Sequence, residues 1–280
     1  MNEAKCQKKT GHTMRRLCQI ACTGLILCIG GLGFASESVA SNGPSHHLGY
    51  ILSADATQYR DDSLVPMRFS GGGGNIGLGW TFRRHRVQLA VNIGLGASYV
   101  TERMGNPGLV LPLWCQMSGY RLGFARWEHM TMHLGMFWRS RITQAMLYSW
   151  DDAHFYFLAS HVAGPSARIE WPLPKNKKLI GAIYLPMLGI IGRPPAQRFV
   201  KQEIPNWDFL IVKPHENMEL ATFAIYRSVA ADVGVMWEGK RSTMTFAYEF
   251  DFEYSNHPDT VYYLVHRLVF TQFIGIGGDS

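Results

Sequence analysis

Residues 244–254 read MTFAYEFDFEY, and they alternate strictly between two kinds of side chain. The even positions, from Met244 to Tyr254, are large and apolar or aromatic, whereas the odd positions are small or charged. Successive side chains of a β-strand point to opposite faces, so a strand separates these two sets cleanly. The stretch therefore predicts a strand with one apolar face and one polar face.

The same period of two recurs along most of the chain, most clearly from Val87 to Tyr99. Turn-forming residues between the alternating runs divide the sequence into about ten candidate strands. These strands are 47–59, 66–82, 87–103, 110–126, 129–147, 153–172, 178–193, 218–238, 241–255 and 260–276. The alternation and the strand number predict an all-β fold, namely a closed antiparallel transmembrane β-barrel.

The predicted connections differ in length between the two ends of the strands. Four of them are tight, at 83–86, 127–128, 173–177 and 239–240, whereas the others are generally longer, up to 194–217. Aromatic residues gather at the strand ends beside the tight turns, where they would form a membrane-interface girdle. The members of this girdle are Trp80, Phe82, Trp127, Trp171 and Trp237, with Phe246 as a further candidate.

The first forty residues have the pattern of an export signal. A basic start precedes an apolar run from Leu17 to Phe34, and small residues end at Ala40. We expect a cleaved signal peptide at 1–40 and a single barrel domain at 41–280, with a retained membrane anchor as the alternative. The remaining segment holds 22 basic and 19 acidic residues and one cysteine, Cys115. A net charge of +3 gives no electrostatic footprint for nucleic acid, so no nucleic-acid partner is expected.

Taken together, the export signal, the alternation, the turn asymmetry and the aromatic girdle resemble those of bacterial outer-membrane β-barrels. The segment 185–189, which reads LPMLG, and the hairpin 242–274 also resemble uncharacterised barrels of the Bacteroidota. The resemblance implies short periplasmic turns, longer extracellular loops and a place in the outer membrane of a Gram-negative bacterium. It implies outer-membrane lipid and the barrel-assembly machinery as partners, with an extracellular or envelope protein as a further partner.

A soluble barrel with its apolar face turned inward is the competing architecture. In that case the aromatic face of 246–252 would line a lipid cavity, and Glu249, Asp251 and Glu253 would be solvated. The opposite faces of the other strands argue against it, because they are small and polar with few charges, as at Asn75, Gln88 and Asn92. Such faces fit a crowded wet lumen better than a solvent-exposed surface.

Strand parity predicts that charged side chains meet inside the barrel. If the even positions of 244–254 face lipid, the acidic odd positions face the lumen, opposite basic residues of the fourth to sixth strands. The predicted network contains Asp55, Arg121, His133, Arg139, Arg141, Arg168, Glu170, Asp232, Glu249, Asp251 and Glu253. A bare buried charge is costly, so these groups are expected to pair, and Arg139 in particular with Glu249 or Asp251.

Other polar patterns give weaker candidates for chemistry. Two loop groups could keep an acid/base pair at the rim, namely His257 with Asp259, and Asp151, Asp152 and His154. The glycines 71–74 lack the Lys-Ser/Thr of a phosphate loop and instead indicate a sharply twisted or closely approached strand. His46-His47 has no third ligand at a readable spacing, so neither a metal site nor a cofactor is expected.

The sequence thus predicts a barrel with a largely filled, ion-paired lumen, acting as a structural, adhesive or assembly component through its outside loops. Whether it is an enzyme stays open. The sequence favours a protein without enzymatic activity, because no nucleophile stands at a recognisable spacing from a base. One alternative is a narrow pore or transporter. Another is a lipid hydrolase or protease with its site at the rim.

Overall fold

The computed structural model of the chain describes residues 45–62, 65–149, 152–193, 197–199, 212–215, 217–222, 225–239, 241–256 and 259–276. The predicted signal peptide at 1–40 lies outside these ranges, as do Asp151, His257 and most of the 194–217 connection. Among the described residues, no helix is long and apolar enough to cross a membrane.

Thirteen strands account for nearly all of the described residues. They are β1 (Ser45–Asp61), β2 (Val65–Arg84), β3 (Val87–Thr101), β4 (Pro107–Trp127), β5 (Met130–Ser149), β6 (Asp152–Leu173), β7 (Lys177–Tyr184), β8 (Leu188–Gly192), β9 (Gln197–Phe199), β10 (Met218–Ala221), β11 (Tyr226–Glu238), β12 (Ser242–Ser255) and β13 (Val261–Ile276). One short 3-10 helix lies at Lys213–His215.

These strands form a closed antiparallel barrel that is ten strands around, because β7 and β8 together fill one strand position and β10 and β11 fill another. Neighbours in sequence pair from β1 to β7, then β7 pairs with β11, and β11, β12 and β13 follow in order. The ring closes where β13 pairs with β1, from His46 opposite Ile276 to Asp61 opposite Val261. The prediction of a closed ten-stranded antiparallel barrel is confirmed.

Two predicted strands are interrupted in the structure. The predicted strand 178–193 breaks at residues 185–187 into β7 and β8, because Pro186 has no N–H to donate to a strand ladder. Both pieces still lie along β6, since the Leu185 and Met187 amides donate to the carbonyls of Pro165 and Ala163. The predicted strand 218–238 likewise divides into β10, which pairs with β8, and β11, which pairs with β7.

The two ends of the barrel differ, although less evenly than the sequence suggested. At the short-turn end, residues 85–86, 128–129, 174–176 and 239–241 join the strands. His85, Lys175 and Asn176 have positive φ angles, as tight turns require. At the opposite, long-connection end, residues 193–217 carry most of the extra length. The connection between β5 and β6 is short, because only residues 150–151 separate these two strands.

The lumen is filled by apolar side chains at the long-connection end. These side chains are buried, come from most strands of the barrel and form one hydrophobic cluster, here called the apolar plug. The plug contains Tyr59, Phe69, Val100, Val110, Phe137, Ala145, Leu147, Tyr156, Leu158, Val162, Ile191, Ala221, Tyr226, Val261, Tyr263 and Val265. Towards the short-turn end, the lumen becomes polar.

The outer wall has the opposite character, because large apolar side chains there are exposed on every long strand. They include Leu48, Leu52, Ile76, Leu78, Ile93, Leu95, Leu113, Ile169, Leu179, Val233, Phe246, Tyr248, Leu268 and Ile274. A soluble protein rarely exposes so continuous an apolar surface, whereas a barrel in a bilayer requires one. The soluble alternative, which needs the apolar face inside, does not describe this wall.

The glycine run 71–74 lies on β2 where that strand approaches β3 closely, as the sequence indicated. A Cβ atom added at Gly73 would collide with the backbone oxygen of Ala97 and approach the Cα atom of Ser98 at 2.5 Å. A Cβ atom at Gly181, by contrast, would meet its nearest atom, the oxygen of Asp232, at 3.6 Å.

We therefore expect Gly73→Ala to destabilise the barrel by about 1–3 kcal/mol, because the extra methyl group forces neighbouring backbone apart. Gly181→Ala is the matched control and should leave stability nearly unchanged. Urea unfolding in detergent micelles, followed by tryptophan fluorescence, measures both. Equal midpoints for the two variants would contradict the close approach of β2 and β3.

Candidate functional site

A layer of charged side chains crosses the lumen beside the apolar plug. On β5, the parity of the strand turns Arg139 and Arg141 inward, and on β12 it turns Asp251 and Glu253 towards them. The Arg139 guanidinium lies 3.0 Å from the carboxylate of Asp251 and 3.4 Å from that of Glu253. Arg141 contacts both carboxylates as well, and it lies 3.3 Å from Glu253.

Two further residues complete this layer, and one of them escaped the sequence analysis. Arg267 of β13 lies 3.6 Å from Asp251 and 3.8 Å from Glu249. The register explains its place, because Arg267 is directly opposite Asp55 on one neighbouring strand and Glu249 on the other. Arg267 is the one Lys, Arg, Asp or Glu residue of 261–276, and this was the available signal. The layer therefore holds three guanidinium groups and three carboxylates.

Hydroxyl groups satisfy part of the remaining hydrogen-bonding capacity of this layer. Ser228 accepts a hydrogen bond from Arg139 at 2.9 Å, and Tyr226 donates to Glu253 at 2.9 Å. Ser160 donates to the same carboxylate at 3.3 Å. Buried ion pairs are tolerated only when additional hydrogen bonds of this kind accompany them.

Arg139 meets one of its two expected partners and adds a further one. It contacts Asp251, one of the two expected partners, together with Glu253, whereas Glu249 lies nearer the short-turn end and approaches Arg267 instead. The partner of Arg139 depends on the level of each side chain along the barrel axis. Because the strands are tilted, the sequence gives that level only approximately.

A second group of charges lies near the short-turn end. Glu170 is its centre, with Arg168 at 3.0 Å, His133 at 3.4 Å and Lys178 at 3.2 Å. Lys178 also reaches Glu238 at 2.8 Å. Neither Lys178 nor Glu238 was in the predicted network, because both stand beside tight turns where charged residues usually meet solvent.

Two other members of the predicted network, Asp55 and Asp232, stand beside the charged layer as cross-strand partners of Arg267 and Glu249. Asp55 accepts hydrogen bonds from Asn75 at 2.8 Å and Ser98 at 2.9 Å, on the β1–β3 side of the wall. Asp232 lines two lumen cavities, of about 140 and 250 Å³, between the charged layer and the short-turn end.

Arg121 departs from the expectation, because its side chain is exposed and does not enter the lumen. On β4, the residues that line the lumen are Gln116, Ser118 and Tyr120, so the even positions face inward. Arg121, opposite Leu134 of β5, is therefore turned outward. Weak alternation along this strand left its parity ambiguous in the sequence.

The five predicted girdle residues all lie on outward positions near the short-turn end. Trp80 and Phe82 stack on each other with ring centroids 6.2 Å apart, and Lys177 lies 5.8 Å from the ring of Trp237. Trp127 and Trp171 are exposed. An aromatic belt backed by a cation matches the interface between hydrocarbon and head groups.

The weaker sequence candidates form no joint site in the described part of the chain. His46 packs against Trp80 and Phe82 in the girdle. The backbone carbonyl of Asp259 accepts a hydrogen bond from Arg193, whereas the side chains of Asp152 and His154 lie outside the described residues. Among the residues the structure describes, no three His, Cys, Asp or Glu side chains gather as metal ligands do.

Comparisons with known proteins bear on the fold alone. No family model and no curated protein matches the sequence. The barrel resembles the outer-membrane protease OmpT from Escherichia coli, with a TM-score of 0.50 and 7% identity, over 86% of this chain and 98% of that one. It is also similar to the translocator domain of the autotransporter NalP from Neisseria meningitidis, with a TM-score of 0.48 and 9% identity, over 94% and 97% of the two chains.

The fold is thus that of an outer-membrane β-barrel, as the alternation and the turns predicted. The narrower resemblance to barrels of the Bacteroidota finds no support in these comparisons.

The charged layer gives a stability prediction. Asp251→Asn leaves three guanidinium groups facing two carboxylates in a buried site, so we expect a loss of about 3–5 kcal/mol in unfolding free energy. Adding Arg141→Met restores the balance of charge and should recover much of that loss, so the two effects are non-additive. Urea unfolding in detergent micelles measures all members of the cycle.

Lys178→Met is the control for this cycle. Lys178 keeps 27% of its side-chain surface exposed, so its replacement should lower the unfolding free energy far less. Additive effects of Asp251→Asn and Arg141→Met would mean that these side chains do not interact.

Proposed function

We propose that this chain is an integral outer-membrane protein with a sealed lumen, acting as a structural, adhesive or assembly component through its long-connection end. The filling of the lumen carries the proposal. A transport pathway needs a continuous wet route, whereas the apolar plug and the charged layer occupy successive levels of this barrel.

The outer wall supports the placement in a membrane. In hydrocarbon, every backbone polar group needs a partner within the protein, and a closed barrel supplies one for each strand. The exposed aliphatic residues then contact lipid chains, and the girdle marks the interface beside the short turns. Outer-membrane lipid is accordingly the first proposed partner. The barrel-assembly machinery is the second, because strand barrels of this kind need insertion into the membrane.

The long-connection end carries internal contacts that hold its rim in place. Glu102 accepts hydrogen bonds from the amides of Met104 and Asn106 at 2.7 and 3.1 Å, which fixes the turn between β3 and β4. Arg193 donates to Asp61 at 2.7 Å and to the carbonyl of Asp259, which joins the end of β1 to two connections at this end. Rim segments that are held in this way lose little entropy on binding, so they suit an extracellular or envelope protein partner.

The pore alternative would have to use the two cavities. Both lie on the short-turn side of the apolar plug, and the larger one is lined by polar groups such as Gln88, Ser118 and Thr243. They provide room for water in that half of the lumen. A route through the other half would require Tyr59, Tyr156 and Tyr263, which are fully buried in the plug, to move aside.

We expect the folded protein to show no stepwise conductance in a planar bilayer, because the plug excludes water and ions. Folding is verified beforehand by the faster migration of the unheated protein on a gel, and insertion by flotation of the protein with liposomes of the same lipid. A steady, ion-selective current from such a preparation would contradict the sealed lumen and support the pore alternative.

The orientation gives a second prediction. In a Cys115→Ser background, a membrane-impermeant thiol reagent applied to intact cells should label the variant Met104→Cys, since Met104 is 73% exposed at the long-connection end. Asn176→Cys, in a short turn, should become labelled only after the outer membrane is permeabilised. The reverse pattern would invert the barrel and place the adhesive surface in the periplasm.

A further inference from the structure

A serine and a histidine meet on the outer wall of the barrel. Ser140 of β5 and His161 of β6 are direct cross-strand partners, both on the outward face. The Ser140 Oγ atom lies 2.8 Å from the Nδ1 atom of His161, which is hydrogen-bond distance. Both side chains are half-buried. A hydroxyl held against an imidazole is the basic arrangement of an activated nucleophile.

A second histidine covers this pair. The ring of His215 stacks on that of His161, with centroids 5.1 Å apart and planes 23° from parallel. The segment that carries it crosses close to β8, since a Cβ atom added at Gly192 would lie 3.1 Å from the Cα atom of His215. The stack restricts rotation of the His161 ring and so holds its nitrogen on Ser140.

The surroundings of the pair are apolar, and several of the neighbouring side chains are exposed on the outer wall. In the register of the sheet, Ile190 lies beside His161 and Leu220 lies beside Ile190. Leu188 and Leu220 are 70% and 65% exposed. On the other side, β4 presents Leu113, also exposed, next to Ile142. A long acyl chain lying along this wall would bring its head end to the Ser140 hydroxyl.

Polar side chains on a lipid-facing wall are costly unless they are paired, as Ser140 is with His161. We propose that Ser140 and His161 form a catalytic pair that hydrolyses a long-chain carboxylic ester of an envelope lipid. The pair stands in the half of the wall nearer the long connections, beside the 3-10 helix that covers it. The proposal adds an activity to the proposed membrane component, and it rests on placement in the membrane and not on the sealed lumen.

The reaction has two steps. His161 takes the proton of Ser140 as the hydroxyl oxygen bonds to the ester carbonyl carbon. The bond from that carbon to the alcohol oxygen then breaks, and His161 returns the proton to the departing alcohol. Water, activated by His161, next attacks the acyl-serine, which releases the fatty acid and restores the Ser140 hydroxyl. The net change is ester plus water to acid plus alcohol.

A long-chain sulfonyl fluoride, which modifies activated serines, tests the nucleophile. Wild-type protein in detergent micelles should be modified at Ser140, as located by peptide mass spectrometry, and Ser140→Ala should not be modified. The same preparations are incubated with phosphatidylethanolamine or lipopolysaccharide, each radiolabelled in its ester-linked chains. Release of fatty acid from one or the other identifies the phospholipid or the acylated glycolipid as the source of the ester.

We expect Ser140→Ala and His161→Gln, which remove the nucleophile and the general base, to lower fatty-acid release by at least about 100-fold. His266→Gln is the matched control, because His266 is also half-buried on the outer wall and lies 2.5 Å from a hydroxyl, that of Tyr248. It should leave release unchanged. Every variant is checked for folding by its migration on an unheated gel.

The positioning role of His215 has its own readout. His215→Phe keeps a ring stacked on His161 and should retain the rate of modification at Ser140, whereas His215→Ala should lower it several-fold. Folded wild-type protein that releases no fatty acid from either lipid would overturn the proposal, whether or not Ser140 is modified. So would release that survives Ser140→Ala, or a loss in His266→Gln equal to that in His161→Gln.

Discussion

The pairing of β1 with β13 is the contact on which the rest of the barrel depends. It joins His46–Asp61 to Val261–Ile276 in one unbroken antiparallel ladder, so neither terminal strand leaves an unpaired edge. A membrane-spanning sheet needs this closure, because unpaired amides and carbonyls have no water to bind in hydrocarbon. Closure also fixes register, and register fixes which side chains meet. Arg267 lies opposite Asp55 because of this closure, whereas the β12–β13 pairing places Glu249 on its other side.

Inside the closed ring, two kinds of filling succeed each other along the axis. The apolar plug packs as the core of a soluble protein does, with Tyr59 and Tyr263 in edge-to-face contact at 6.3 Å. The charged layer beside it needs exact partners, because a guanidinium without a carboxylate would be stranded out of water. Such a layer contributes little net stability, but it penalises every strand register that would separate Arg139 from Asp251.

The sequence alone determined the strands and their two faces. Alternation at 244–254 separates the two faces of β12, because the period of a strand is two regardless of its neighbours. The same rule turned Arg139, Arg141, Asp251 and Glu253 inward and gathered the aromatic girdle beside the tight turns. It failed where alternation is weak, so Arg121 was given the wrong face and Arg267 was missed. The sequence showed the proline at 186, but it did not show that the strand divides there into β7 and β8.

Only the tertiary structure decided which residues of one face touch. Ser140 and His161 stand twenty-one positions apart with no pattern to link them. The register of β5 against β6 makes them partners, and the segment 212–215 brings His215 over them. Likewise, the sequence expected Arg139 to meet Glu249 or Asp251, and the stagger of tilted strands chose Asp251 and Glu253. Local periodicity fixes the face of a side chain, whereas its neighbours depend on strand stagger, which only the closed barrel sets.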